Sequence, residues 1–206
     1  MSNVKTLIFD LGGVLIDWDP RYLYEKLIPD KSEMDFFLAE ICSPEWNAQM
    51  DRGKSFQDAV DELAIVYPKY SSQIQAYYSR WGEMIIGTIP GTVKILERLR
   101  GAGYPLVALS NWSAETYPKV TKRFALLSWF GTLVISGEVG LIKPDPEIYH
   151  YLLKKINREA KDCIFIDDSK QNVRTAEELG FISIHFSSPE GLEENLEELN
   201  ILNNGH

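Results

Sequence analysis

Apolar residues along this chain keep two rhythms. Runs at residues 6–9, 106–109, 133–135, 163–166 and 182–186 are nearly continuous, the pattern of short strands buried on both faces. Elsewhere apolar residues recur every three or four positions, as helices require. Met34, Phe37, Leu38 and Ile41 do so, then Phe56, Ala59, Val60 and Leu63, then Ile74, Tyr77, Tyr78, Trp81 and Ile85. Residues 18–86 therefore read as a small helical bundle with no strand in it. Ser55 and Asp58 resemble a capping box with Asp in place of Glu, and Pro20 suits the first turn of an earlier helix.

From Ile89-Pro90-Gly91 onward helices and strands alternate. A helix through Val93, Leu96 and Leu99 ends at Gly101 or Gly103, and further helices are predicted near residues 114–127, 146–156 and 171–179. This alternation predicts an α/β fold, a Rossmann-like doubly wound parallel sheet covered by helices on both faces. The sheet domain would comprise residues 1–17 and 87–206, with residues 18–86 inserted after the first strand and seated over the strand ends.

Composition narrows the class without changing the architecture. The 206 residues are 45% hydrophobic and 25% charged, ordinary for a globular chain of one core with a modest insertion. A formal charge of -9 argues against nucleic acid or an anionic membrane as partner, since both need clustered Lys and Arg. No apolar stretch approaches the ~20 residues that span a bilayer, and nothing near the first residue reads as a signal peptide. Cys42 and Cys163 are distant in sequence and sit in apolar segments, which suits reduced core residues of a cytoplasmic protein, monomer or homodimer.

Four polar signatures punctuate the strands: Phe9-Asp10-Leu11-Gly12-Gly13, Ser110-Asn111, Lys143-Pro144 and Asp167-Asp168. Three of them follow a strand directly, and in open parallel sheets ligands bind at the carboxyl ends of strands. Each signature alone has a plainer reading. Asp10 could be a loop residue, Ser110 and Asn111 could cap the next helix, and Lys143 could be a solvated turn residue. Together they assemble a different chemistry. Three carboxylates held close repel one another unless protons or a cation intervene, and magnesium takes carboxylate and carbonyl oxygens while sharing them with phosphate. Gly12 and Gly13 allow a sharp turn and a close backbone approach, and Pro144 and Pro146 restrain the backbone that carries Lys143.

In this order and spacing the four motifs resemble the haloacid dehalogenase superfamily with a helical cap of its first type, over essentially the whole chain. The resemblance implies that Asp10 is a nucleophile forming an aspartyl-phosphate and that Ser110, with the Asn111 amide, binds the transferring phosphoryl group. It further implies that Lys143 neutralises charge on both, that Gly13 lies beside the substrate, and that Mg2+ is held by Asp10, Asp168, the Gly12 carbonyl and Asp167, the last directly or through water. The implied activity is magnesium-dependent hydrolysis of a small phosphate ester. Resemblance to the branch with glucose-1-phosphate phosphatases and the phosphatase domain of soluble epoxide hydrolases suggests a sugar 1-phosphate. In the cap, Trp46, Asp51-Arg52-Gly53 and Lys54 form a polar loop before Ser55; if it faces the core, Trp46 and Arg52 would contact substrate, and otherwise Arg52 is a surface charge, while Trp112 would wall the site or simply pack beside the strand end.

One departure stands out. Phosphatases of this superfamily usually carry a second Asp two residues after the nucleophile as general acid and base, where this chain has Gly12, and the position often held by Thr is Val14. Without that acid, esters with good leaving groups should be favoured, unless Asp17 or Asp19 at the entrance to the cap stands in, although both read more simply as solvated hinge carboxylates. A 2-haloacid dehalogenase needs no such acid, but its metal-independent site has uncharged residues where this chain has Asp167 and Asp168. Gly12 would also suit a noncatalytic protein that binds a phosphorylated ligand, whereas the nucleophile, lysine and acidic pair argue for turnover. A phosphoglucomutase would need the missing acid in both half-reactions.

Overall fold

The fold is given by a computed structural model that describes residues 4–202. Five parallel strands form the sheet in the order β5-β4-β1-β6-β7. These are β1 (Thr6–Phe9), β4 (Leu106–Ser110), β5 (Thr132–Ile135), β6 (Cys163–Asp167) and β7 (Ile182–His185). Side chains alternate across the sheet, so Leu7 and Phe9 enter one apolar cluster while Ile8 enters the other with Leu109 and Phe165. Burial on both faces explains why the strands read as unbroken apolar runs. Cys42 and Cys163 are buried free thiols, as expected.

Between Arg21 and Ser79 the chain is helical: α1 (Arg21–Tyr24), α2 (Lys31–Phe36) continuing as a π-helical turn (Phe37–Ile41), α3 (Pro44–Asp51), α4 (Phe56–Val66) and α5 (Ser71–Ser79). Ser55 caps α4 by accepting from the Asp58 N–H. The helices bury an aromatic cluster in which Tyr77 meets Trp46 edge-on at 5.0 Å. The expectation that no strand interrupts this region is corrected. β2 (Ile16–Trp18) and β3 (Ile85–Thr88) pair antiparallel and join the helices to the sheet domain as a two-stranded ribbon.

The second half contains α6 (Pro90–Gly101), closed at Gly103 with φ +81, then α7 (Tyr117–Thr121), α8 (Ser136–Val139), α9 (Pro146–Ile156), α10 (Lys170–Glu178) and α11 (Pro189–Glu198). The helix expected at residues 114–127 is only five residues of α7 and a 3-10 turn at Ala125–Trp129. Helices α8 and α11 were not anticipated. Among the described residues no helix is long and apolar enough to cross a membrane.

Candidate active site

β1 lies between β4 and β6, and neighbouring strands are about 4.8 Å apart, so Asp10 emerges with Ser110 on one side and Asp167 on the other. The Asp10 N–H still pairs with the Ile166 carbonyl at 2.9 Å, which fixes the backbone where its side chain leaves the sheet. The chain then turns at Gly13, whose φ is +73. A Cβ there would lie 2.3 Å from Asp168 Oδ2, so Asp10 and Asp168 approach only because residue 13 has no side chain.

Lys143 is 2% exposed and sits among these groups. Its ammonium donates to the Leu109 carbonyl at 2.8 Å and to Asp167 Oδ2 at 2.6 Å, and stands 3.1 Å from Asp10 Oδ1. Burial disfavours its charge, but Asp10 and Asp167 outweigh burial and raise its pKa. The loop that carries it is held by Asn111, whose Oδ1 accepts from the Lys143 N–H and whose Nδ2 donates to the Lys143 carbonyl, both at 2.9 Å.

The three carboxylates differ in what surrounds them. Asp167 is fully buried, with Oδ2 on Lys143 and Oδ1 accepting from the Ser169 N–H at 2.8 Å and Asn172 Nδ2 at 3.0 Å. Asp10 accepts from the Leu11 N–H at 2.7 Å and bonds to the Ser110 side chain. Burial pushes its pKa up to about 7; Lys143 and Ser110 oppose that shift, and Asp167 and Asp168 add to it. Asp168 is exposed, and its pKa is raised by desolvation first and Asp167 second. Oxygens of all three lie within 4.8 Å of one another. One ammonium facing three carboxylates leaves an all-oxygen, electron-rich cluster, and such a donor set fits a small hard cation such as Mg2+.

A cavity of about 810 Å³ adjoins this cluster. Asp10, Ser110, Lys143 and Asp168 border it from the sheet, and Phe56, Tyr77, Trp81, Asp51 and Arg52 from the helical segment. Trp112 borders it as well, braced by Trp81 at 5.6 Å and by an N–H···O bond to Thr116. Polar contacts cross beside the cavity. Glu115 Oε1 accepts from the Phe56 N–H at 2.9 Å, the Glu115 carboxylate also bonds to the Tyr78 hydroxyl, and the Lys119 ammonium lies 4.1 Å from the Tyr78 ring centroid.

Several expectations need correction. Trp46 is 7% exposed and packed against Tyr77, so it belongs to the core of the helical segment rather than to the cavity wall. The alternative in which Asp17 or Asp19 stands in as acid is not supported, since Asp17 accepts from the Tyr22 hydroxyl at 2.8 Å and Asp19 from the Arg21 N–H at 2.8 Å, and neither borders the cavity. The acidic residue of the helical segment that does border it is Asp51. Sequence reasoning placed Asp51 in a polar loop and passed over it. Its raised pKa, about 7, comes from burial and then from Asp10 across the cavity.

The chain is similar to several known proteins. A sesquiterpene phosphatase of Aspergillus oryzae is 28% identical over 187 residues, 90% of this chain and 91% of that protein. A glyceraldehyde 3-phosphate phosphatase of Methanocaldococcus jannaschii is 26% identical over 194 residues, covering 88% and 84%. A HAD family enzyme of Bacteroides thetaiotaomicron, solved as a magnesium complex, superposes with a TM-score of 0.71 at 26% identity over 91% of this chain and 95% of that one. With its parallel sheet, its clustered carboxylates and a family model matched across residues 4–180, the chain belongs to the haloacid dehalogenase-like hydrolases.

Proposed function

We propose that this hydrolase is a magnesium-dependent phosphomonoesterase acting through an aspartyl-phosphate on a small phosphorylated metabolite, with sugar 1-phosphates among the candidates. The observation that carries the reading is the Asp10 carboxylate beside a buried ammonium and a serine hydroxyl, bordering a cavity of about 810 Å³, a volume suited to a small molecule. The phosphatases among its relatives support the same chemistry.

In this reading Asp10 attacks phosphorus and Lys143 lowers the repulsion between that carboxylate and the incoming phosphoryl oxygens. Ser110 donates to the phosphoryl group. Asn111 contributes through its main chain, because its side-chain amide is committed to the Lys143 loop. Asp10, Asp168 and the Gly12 carbonyl would hold the metal, while Asp167, with both oxygens engaged by protein donors, would act on it less directly. When bound, Mg2+ supplies positive charge to the phosphoryl oxygens. The helical segment serves as a cap, and Phe56, Trp81 and Trp112 offer apolar faces to the group that leaves. The acidic pair weighs against the 2-haloacid dehalogenase reading, in which a metal has no part.

The test is hydrolysis of p-nitrophenyl phosphate by purified protein. Turnover should vanish with chelator and return with magnesium, and Asp168→Ala should raise the magnesium requirement or abolish activity. Undiminished activity in excess chelator would point to the dehalogenase instead, checked by halide release from 2-chloropropionate. A second expectation concerns Arg52, exposed at the end of α3 and bordering the cavity. Arg52→Ala should change kcat/KM among phosphorylated metabolites more than it changes turnover of p-nitrophenyl phosphate. An equal change in both would show that Arg52 does not select substrate.

A further inference from the structure

We propose that Asp51, reaching the cavity from the helical segment, is the acid and base of this phosphatase, taking the part for which the strand-end loop at Gly12 has no side chain. The inference rests on the phosphomonoesterase reading and goes beyond it. An alkoxide leaves phosphorus poorly unless it is protonated as the bond breaks, and a positioned acid contributes about 10² to 10⁴-fold. The protein must therefore bring a proton donor to the side of the phosphorus away from Asp10. Among the carboxyls bordering the cavity, Asp10 attacks, Asp168 belongs to the metal-binding cluster, and Glu45 lies exposed near the start of α3. Asp51 remains, reaching the cavity from the end of α3.

Its surroundings suit the task. Asp51 is the last residue of α3, and Asn47, one turn earlier, donates from Nδ2 to Asp51 Oδ2 at 2.9 Å. Asn47 is itself oriented by the Tyr77 hydroxyl, which donates to its Oδ1 at 3.0 Å. The Ser113 main chain bonds to the Asp51 carboxyl from the sheet side. Both protein groups on the carboxyl are donors. Among the described residues, then, a proton on Asp51 has no protein acceptor and is offered to whatever fills the cavity. The charged and titratable groups around it are Asp10 from the end of β1, Arg52 next to it and Tyr77 of α5, reached through Asn47. Burial and the Asp10 charge hold its pKa at about 7, so both protonation states are accessible near neutral pH.

The steps balance. As Asp10 attacks, the P–O ester bond breaks, its electron pair stays with the ester oxygen, and that oxygen takes the Asp51 proton to leave as an alcohol. Asp51, now a carboxylate, then takes a proton from water while the water oxygen attacks phosphorus. The bond to Asp10 breaks, releasing inorganic phosphate, the Asp10 carboxylate and a reprotonated Asp51.

The experiment compares Asp51→Asn with the wild type on p-nitrophenyl phosphate, whose leaving group needs no proton, and on a primary alkyl phosphate such as glucose 6-phosphate. With Asp51 in place, wild-type kcat/KM should depend only weakly on leaving-group pKa. In Asp51→Asn, kcat/KM for the alkyl ester should fall about 10² to 10⁴-fold while that for the aryl ester falls far less. The aryl reaction should show a burst of nitrophenolate close to one per active site, with phospho-Asp10 detectable by mass spectrometry, because water attack has lost its base. The alkaline limb of the alkyl-ester pH profile should disappear. Asp51→Glu should recover part of the alkyl-ester rate, and Asp17→Asn and Asp19→Asn should leave the leaving-group dependence unchanged. Equal losses on both esters without phospho-enzyme, or no loss on either, would overturn the assignment to Asp51 and leave the phosphatase standing. A wild type that hydrolyses neither ester would remove both.

Discussion

Asp10→Asn should fold normally and lose turnover of p-nitrophenyl phosphate on the order of 10⁴-fold or more, the scale seen when a covalent nucleophile is removed. The amide keeps the shape of the side chain and an oxygen to accept the Leu11 N–H, so the loss would report chemistry rather than collapse. Beryllium or aluminium fluoride should inhibit the wild type by occupying the phosphoryl position and have no such effect on the variant. The variant should also differ in stability, with a definite sign. In the metal-free protein the Asp10 pKa is about 7, above the 3.8 of an ordinary Asp, so Asp10 favours the folded state most below about pH 4. That contribution is lost as pH rises through 7. Metal-free Asp10→Asn should therefore match the wild type most nearly in acid and gain in Tm relative to it by pH 8, with added magnesium narrowing the gap. Near wild-type turnover would exclude covalent catalysis by Asp10.

Lys143→Ala should be the most damaging single change to the fold of the site. It leaves Asp167 and Asp10 without their ammonium and the Leu109 carbonyl without its donor, all of them buried. Breaking a buried pair by removing one partner typically costs about 3 to 5 kcal/mol, or roughly 10 °C in Tm for a chain of this size. Thermal unfolding would measure it, and the deficit should shrink in acid as the orphaned carboxylates take up protons. Turnover should fall at least about 10² to 10³-fold. Lys143→Arg should not rescue either property. A planar guanidinium cannot place three donors where the compact ammonium does.

The sheet and its catalytic edge were legible because strands buried on both faces leave unbroken apolar runs, and because Asp10, Ser110 and Asp167 stand immediately at their ends. The ribbon was hidden by its brevity. Ile85 follows Trp81 at helical spacing, so its strand was absorbed into the preceding helix, and β2 has only three residues. The stretch after Asn111 misled in the other direction, since its apolar residues pack from turns rather than from one long helix. Helix α11 was missed despite legible signals: Ser188 as cap, Pro189 in the first turn, and Leu192 and Leu196 four apart. The role of Asp51 depends on how α3 lies across the strand ends, a tertiary fact with no local pattern. Asp17 and Asp19 were nearer in sequence to the missing acid but are turned to Tyr22 and Arg21.

The contacts of Glu115 with Phe56 and Tyr78, and of Lys119 with the Tyr78 ring, bear on time as well as place. A hydrogen bond between protein groups nets only about 1 kcal/mol over the same groups bonded to water, and about 1.5 to 3 kcal/mol when one of them is charged. Parting these few contacts is therefore a small thermodynamic step, and movements of this kind take microseconds to milliseconds. Such a boundary can open in every catalytic cycle without unfolding anything behind it. With leaving groups that need no assistance, the escape of phosphate from the cavity, rather than bond cleavage, would then set the ceiling on turnover, and kcat should rise with solvent fluidity where kcat/KM for a slow ester does not.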